Sequence, residues 1–216
     1  MDNPRPSILP PLGRTQPQPV IDLPSDRLAD RPASPALAPR IAVSGKRHVP
    51  TSRFMFSHPA HMVALGLGSG LSPFTPGTVA TLWAWVAFLV WRSVNPAASV
   101  VQEAAILALT LVASVWASER TARAMGVADP SAVVIDEIIA FWLVLWVVCP
   151  AGTPENIGLQ LAAFVLFRFF DAVKPPPVRW ADSAFKGTGW RGAFGIVFDD
   201  LVAAFCTLLV LALWLS

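Results

Sequence analysis

The sequence predicts an all-α membrane protein, a multi-spanning bundle of about five apolar helices preceded by a disordered, proline-rich N-terminal tail. Of its 216 residues, 54% are hydrophobic and only 14% are charged, whereas soluble domains are about 25% charged. Five long apolar runs follow residue 78, and 12 of the 21 prolines lie in residues 1–60. Together these observations indicate two parts, a disordered cytosolic tail over 1–60 and a membrane-embedded domain over 61–216.

The tail has no long apolar run and carries eight Lys/Arg against four Asp. Proline removes backbone hydrogen-bond donors and resists helix formation. The small number of apolar residues also cannot offset the conformational entropy lost when the chain is ordered. The segment also lacks the apolar core of a signal peptide.

A glycine- and proline-rich stretch over 61–78 leads into the first apolar run. Its alternating glycines disfavour a helix interior, and Pro73 and Pro76 impose turn or extended geometry. A loop that enters a helix N-terminus offers backbone N–H groups to an anion. An interfacial turn without a ligand is an equally good interpretation at this point.

The apolar runs are each about 14–17 residues long, shorter than the roughly 20 residues of a straight membrane span, so flanking residues must extend them. They cover residues 79–95, 104–118, 133–149, 157–170 and 201–215.

Basic residues alternate between the predicted loops as the positive-inside rule requires. With a cytosolic N-terminus, the cytosolic segments 1–78, 119–132 and 171–200 hold eight, two and four Lys/Arg. The opposite face holds Arg92, and the loop 150–156 has no basic residue. The pattern predicts a multi-pass protein whose acidic residues meet at the cytosolic face.

Two pairs of adjacent carboxylates suggest a metal site, because carboxylates in apolar runs are costly unless they are paired, protonated or metal-bound. They are Asp136-Glu137 and Asp199-Asp200, both expected at helix starts. Favourable first-turn acids, or an N-cap at Asp199, are the plain structural alternatives. We expect these four residues to bind Mg²⁺, which prefers oxygen ligands. Glu119 is expected to end a helix at the same face.

Arg168, Asp171 and Lys174 recur at a spacing of three and would line one helix face. The plain structural alternative is a local ion-pair ladder, which contributes little at a surface. In a site, Arg168 and Lys174 would bind phosphate, and Asp171 would orient metal or water. We expect catalytic roles for Asp171, Asp136 and Lys174.

Further phosphate contacts are expected outside that face. Arg179 would bind phosphate or pair with Asp182. Ser72, Thr75 and Thr78 of the glycine- and proline-rich stretch would contact phosphate or position water.

Other phosphatase chemistries lack their residues. The three histidines lie in or beside the tail, and no cysteine is followed by arginine six positions later. An ion or solute transporter is an alternative, and it would place acids near the bilayer midplane. A non-catalytic membrane scaffold is another. Nothing in the sequence indicates a nucleic-acid partner, and the oligomeric state is left open.

Four stretches resemble the phosphatidylglycerophosphatase A family of bacterial inner-membrane enzymes. They are GLGSGLSPFTPGTVATL (66–82), DPSAVVIDEIIAFW (129–142), FRFFDAVKPPPVRWAD (167–182) and GAFGIVFDDLVA (192–203). The resemblance implies Mg²⁺-dependent removal of the terminal phosphate from the phospholipid phosphatidylglycerophosphate, which gives phosphatidylglycerol. Direct attack by water and a phospho-aspartate intermediate both remain open.

Overall fold

A computed structural model describes residues 50–150, 152–153, 156–185 and 187–216. Over these residues the chain is all-helical, without a β-strand, as predicted. A 3₁₀ helix, Gly66–Leu71, lies between the second and third α-helices. The α-helices are α1 Ser52–Met55, α2 Pro59–Ala64, α3 Pro76–Val94, α4 Val100–Met125, α5 Ile135–Val148, α6 Ile157–Val173, α7 Pro176–Ala184 and α8 Trp190–Leu215.

Helical structure begins before residue 61, the predicted start of the folded domain. The Thr51 side chain caps α1, and the His58 ring caps α2, which has proline in its first turn. Met55 and Ala60 are buried, so this segment packs against the domain. The prediction of disorder for residues 1–49 lies outside the described residues.

Three helices, α3, α4 and α8, are long and apolar enough to cross a membrane. The predicted number of about five spans is not confirmed, because α5 has 14 residues and α6 has 17. A 14-residue helix rises about 21 Å, less than the roughly 30 Å of a hydrocarbon core.

Helix α5 is central and contacts α3, α4, α6 and α8. Phe88 of α3, Phe141 of α5 and Phe167 of α6 are completely buried between these helices. Indole groups add directed contacts. Trp142 of α5 donates to the Ala84 carbonyl oxygen at 2.8 Å, so α3 is fixed to α5 by a hydrogen bond as well as by apolar burial.

A buried ion pair closes one end of the bundle. Arg92, near the end of α3, bonds Glu103, in the first turn of α4, at 2.9 Å. Arg92 also donates to the carbonyl oxygen of Cys149, the residue after α5. The C-terminal ends of α3 and α5 therefore lie beside the N-terminal end of α4, and the first turn of α5 lies at the other end of the bundle.

Helix α8 begins earlier than predicted. Asp199 and Asp200 were expected at a helix start, but α8 starts at Trp190 and both aspartates lie in its interior. Gly195 explains the difference: a Cβ there would lie 2.9 Å from both the Cβ and the carbonyl oxygen of Phe185. Glycine in this segment permits close packing against the preceding turn and does not break the helix.

Candidate active site

Three carboxylates converge where α5 meets α8. Asp136 and Glu137 occupy the first turn of α5, as predicted, and Asp200 comes from α8. One carboxylate oxygen of each lies within 4.8 Å of the others. Among the described residues, Asp136 Oδ1, Glu137 Oε2 and Asp200 Oδ2 are buried without a hydrogen-bond partner. Such orphaned oxygens are costly, and three hard donors this close have the chemistry of a divalent-cation site.

Asp199 does not join this group. Successive helix residues point about 100° apart, so it faces away from Asp200. Its Oδ2 accepts a hydrogen bond from Lys174 Nζ, while Oδ1 is buried without a partner among the residues described. Of the four predicted metal ligands, the structure therefore brings together Asp136, Glu137 and Asp200.

Arg168 lies beside the carboxylates and forms an ion pair with Asp171, one turn further along α6. Gly77, in the first turn of α3, makes this arrangement possible. A Cβ at Gly77 would collide with Glu137 Oε1 and would lie 3.1 and 3.2 Å from the two terminal nitrogens of Arg168. The absence of a side chain lets α3 approach α5 and α6 where their charged groups meet.

Lys174 ends α6 in the left-handed conformation, with φ of 47°. The next residue, Pro175, disfavours right-handed helical geometry for the residue before it. Lys174 Nζ bonds Asp182 of α7 at 2.8 Å and also bonds Asp199 of α8. Burial lowers the pKa of Lys174, but these two bonds outweigh it and raise the pKa above the usual lysine value, so Lys174 stays charged at neutral pH.

These side chains line one cavity of about 670 Å³. Besides the residues already described, Thr75 and Asp129 contribute to its wall. Thr75 immediately precedes α3 and has a φ of 39°. Two non-glycine residues with positive φ, Thr75 and Lys174, therefore line this cavity. Strained backbone of this kind clusters at functional sites.

The family model for phosphatidylglycerophosphatase A matches residues 62–215, nearly the whole described chain. The chain belongs to the phosphatidylglycerophosphatase A family. This confirms the predicted family and enzyme class, a lipid phosphatase of phospholipid metabolism, and the apolar helices fit a bacterial membrane protein.

Three curated relatives match this chain over most of their own length. Phosphatidylglycerophosphatase A of Escherichia coli is 36% identical over 73% of this chain and 84% of the relative. A putative phosphatidylinositol-3-phosphatase of Bacteroides thetaiotaomicron is 34% identical over 70% of this chain and 90% of the relative. Phosphatidylglycerophosphatase A of Haemophilus influenzae is 32% identical over 74% and 91%. No solved structure matches.

Four residues that the sequence placed at the candidate site do not line the described cavity: Ser72, Thr78, Glu119 and Arg179. Ser72 Oγ donates to the Phe74 carbonyl oxygen at 2.6 Å, and Arg179 is exposed on α7. Glu119 is not at the end of a helix, because α4 continues to Met125, and it pairs with Arg123.

Two acidic residues of the cavity wall were not predicted as site residues, Asp129 and Asp182. Asp182 was considered only as a partner of Arg179. It lies eight positions after Lys174, and the two meet because the chain turns between α6 and α7. No spacing pattern in the local sequence predicts that turn, so the contact between Lys174 and Asp182 could not be predicted.

Proposed function

We propose that this chain hydrolyses the terminal phosphate of phosphatidylglycerophosphate to give phosphatidylglycerol, with Mg²⁺ as cofactor, at the cytosolic face of the bacterial inner membrane. The observation that carries the proposal is the cluster of three carboxylates with orphaned buried oxygens beside two cationic side chains in one cavity. Two of the relatives named above are phosphatidylglycerophosphatases.

Asp136, Glu137 and Asp200 would hold the Mg²⁺, because their oxygens are hard donors within reach of a single ion. Bound there, Mg²⁺ would polarise the phosphoryl group and lower the pKa of water. Asp199 would remain outside this shell while it is paired with Lys174.

The charged residues of α6 bind and orient the phosphate. Arg168 and Lys174 both line the cavity and supply its positive charge, which attracts the phosphate oxygens. Asp171 is held by Arg168 at the cavity wall, where it would orient a water molecule and accept its proton. Thr75 is the residue of the glycine- and proline-rich stretch that would reach the phosphate.

We further propose that α5 and α6 also cross the membrane, which gives five spans. The contact of Arg92 with the Cys149 carbonyl oxygen supports this, because it brings the end of α5 level with the end of α3. The positive-inside pattern then supports a cytosolic location for the cavity, which lies at the opposite end of the bundle.

The test is phosphate release by the purified full chain in detergent micelles. We expect release from phosphatidylglycerophosphate with Mg²⁺ and loss of release on chelation. Phosphatidylinositol 3-phosphate is the competing substrate, because one relative carries the name of that activity. Phosphatidate is the control for any lipid phosphate monoester. Absence of metal-dependent release from phosphatidylglycerophosphate, by protein that remains folded, would overturn the proposal.

A further inference from the structure

We propose that Asp182 is a positioning residue that directs the ammonium group of Lys174 at the substrate phosphate. The inference deepens the proposed function and rests on it. Neither the family name nor the relatives' names assign a role to Asp182. The residue lies on α7, outside the cluster of three carboxylates, and it lines the cavity next to Lys174, which it contacts.

Within the part of the chain that the structure describes, Lys174 Nζ has two hydrogen-bond partners, which leaves one donor for a ligand. A lysine ammonium has three N–H donors. One is given to Asp182 at 2.8 Å and one to Asp199. Two carboxylates on different helices, α7 and α8, therefore fix the ammonium at the cavity wall, and the third donor is left for a phosphate oxygen.

Both partners are rigidly held. Helix α7 contacts α8, and its Val178 and Ala181 are completely buried. The left-handed backbone of Lys174 and the proline after it fix the start of the lysine side chain. The ion pair with Asp182 restricts the rotamers of the Lys174 side chain. Without Asp182 this side chain regains rotamer freedom, and the entropic cost of ordering it is then paid when the substrate binds.

The kinetic test is a double-mutant cycle in the full-length enzyme. Asp182→Asn is expected to raise KM about tenfold with a smaller change in kcat, the scale of one charge-assisted hydrogen bond. Asp182→Glu should recover part of the loss. In a Lys174→Met background, Asp182→Asn should have no further effect, because the residue through which it acts is gone.

Ser183→Ala is the matched control, since Ser183 is the next residue of α7 and is exposed. It should leave KM unchanged. Equal losses from Asp182→Asn with and without Lys174 would show that Asp182 acts independently, which would overturn the inference. An unchanged KM in Asp182→Asn would overturn it too.

A second measurement separates this inference from the proposed function. The rate at which an amine-reactive reagent modifies Lys174, followed by mass spectrometry, needs no substrate. Asp182→Asn should raise this rate severalfold, while Ser183→Ala should not. If the wild-type enzyme releases no phosphate, the proposed function fails, and the role of Asp182 in fixing Lys174 is still decided by this rate. An unchanged rate would refute it.

Discussion

Gly77 is the residue on which the charged end of the bundle depends most directly. It allows α3 to lie against the Glu137 carboxylate and the Arg168 guanidinium. Any side chain there would separate a candidate metal ligand from a candidate phosphate ligand. Gly77 has no reactive side chain, and its contribution is the room that it leaves for the Glu137 and Arg168 side chains.

Gly77→Ala should lower kcat/KM by about 100-fold, the effect that a misplacement of about 1 Å in an active site can have. Thermal stability should change much less, because alanine favours the helix by up to about 1 kcal/mol and offsets part of the crowding. Gly158→Ala is the matched control, since its Cβ would meet Asn156 Oδ1 at 3.4 Å, an ordinary contact. Equal activity of the two variants would contradict the prediction.

Asp200→Asn should abolish Mg²⁺-dependent phosphate release and also the rise in melting temperature that saturating Mg²⁺ gives the wild-type enzyme. In chelator, the variant should melt above the wild type, because it removes a buried carboxylate that lies close to two others. Glu119→Gln, at a buried carboxylate outside the cavity, should keep the Mg²⁺-dependent rise. A variant that still responds to Mg²⁺ like the wild type would exclude Asp200 as a ligand.

At this scale the sequence predicted the helix positions of Asp136 and Glu137 correctly and the pairing of side chains poorly. Asp136 and Glu137 were placed correctly because two acids at the start of an apolar run can occupy one helix turn. The partnership of Lys174 with Asp199 could not be predicted, because it joins residues 25 positions apart. It depends on two turns whose geometry no short pattern encodes.

Among the helices, the Arg92–Glu103 ion pair holds three helix ends together, and both side chains are less than a tenth exposed. Arg92→Met would leave the Glu103 carboxylate buried without its partner, which typically costs about 3–5 kcal/mol. Denaturation in mixed detergent micelles should show this loss, with kcat/KM of the folded fraction nearly unchanged.

The double variant Arg92→Met/Glu103→Leu should regain most of the stability, because replacing a buried ion pair by apolar residues is often neutral. A double variant as unstable as Arg92→Met would indicate that the contact with the Cys149 carbonyl oxygen, rather than the ion pair, stabilises this end.

Apolar runs predicted the existence of α3, α4, α5, α6 and α8, because a helix packed inside a bundle or against lipid requires a largely apolar sequence. They did not predict where α8 begins. Gly192 and Gly195 resemble loop residues in sequence, yet each faces backbone of the preceding turn at close range. Helix-breaking glycine and close-packing glycine are indistinguishable until the neighbouring segment is placed.

For the whole molecule, the proposed five-span topology predicts the side on which each loop is accessible. After replacement of Cys149 and Cys206 by alanine, Ala97→Cys and Thr153→Cys should react with an impermeant maleimide added outside intact spheroplasts. Phe74→Cys, at the cavity end and highly exposed, should react only after permeabilisation. Reaction of Thr153→Cys and Phe74→Cys from the same side would show that α5 does not cross.

The composition of the cavity wall also has a consequence for inhibitor chemistry. Seven carboxylates and two cationic side chains line the described cavity, whose volume lies within the range of small-molecule sites. Phosphate mimics are anions, so the surplus of negative charge in the cavity would oppose their binding. Their affinity would therefore depend on a bound metal ion. A cationic amphiphile, such as a long-chain alkyl diamine, has the opposite preference: it would bind the carboxylates proposed to hold the metal and would compete with Mg²⁺ rather than with the lipid.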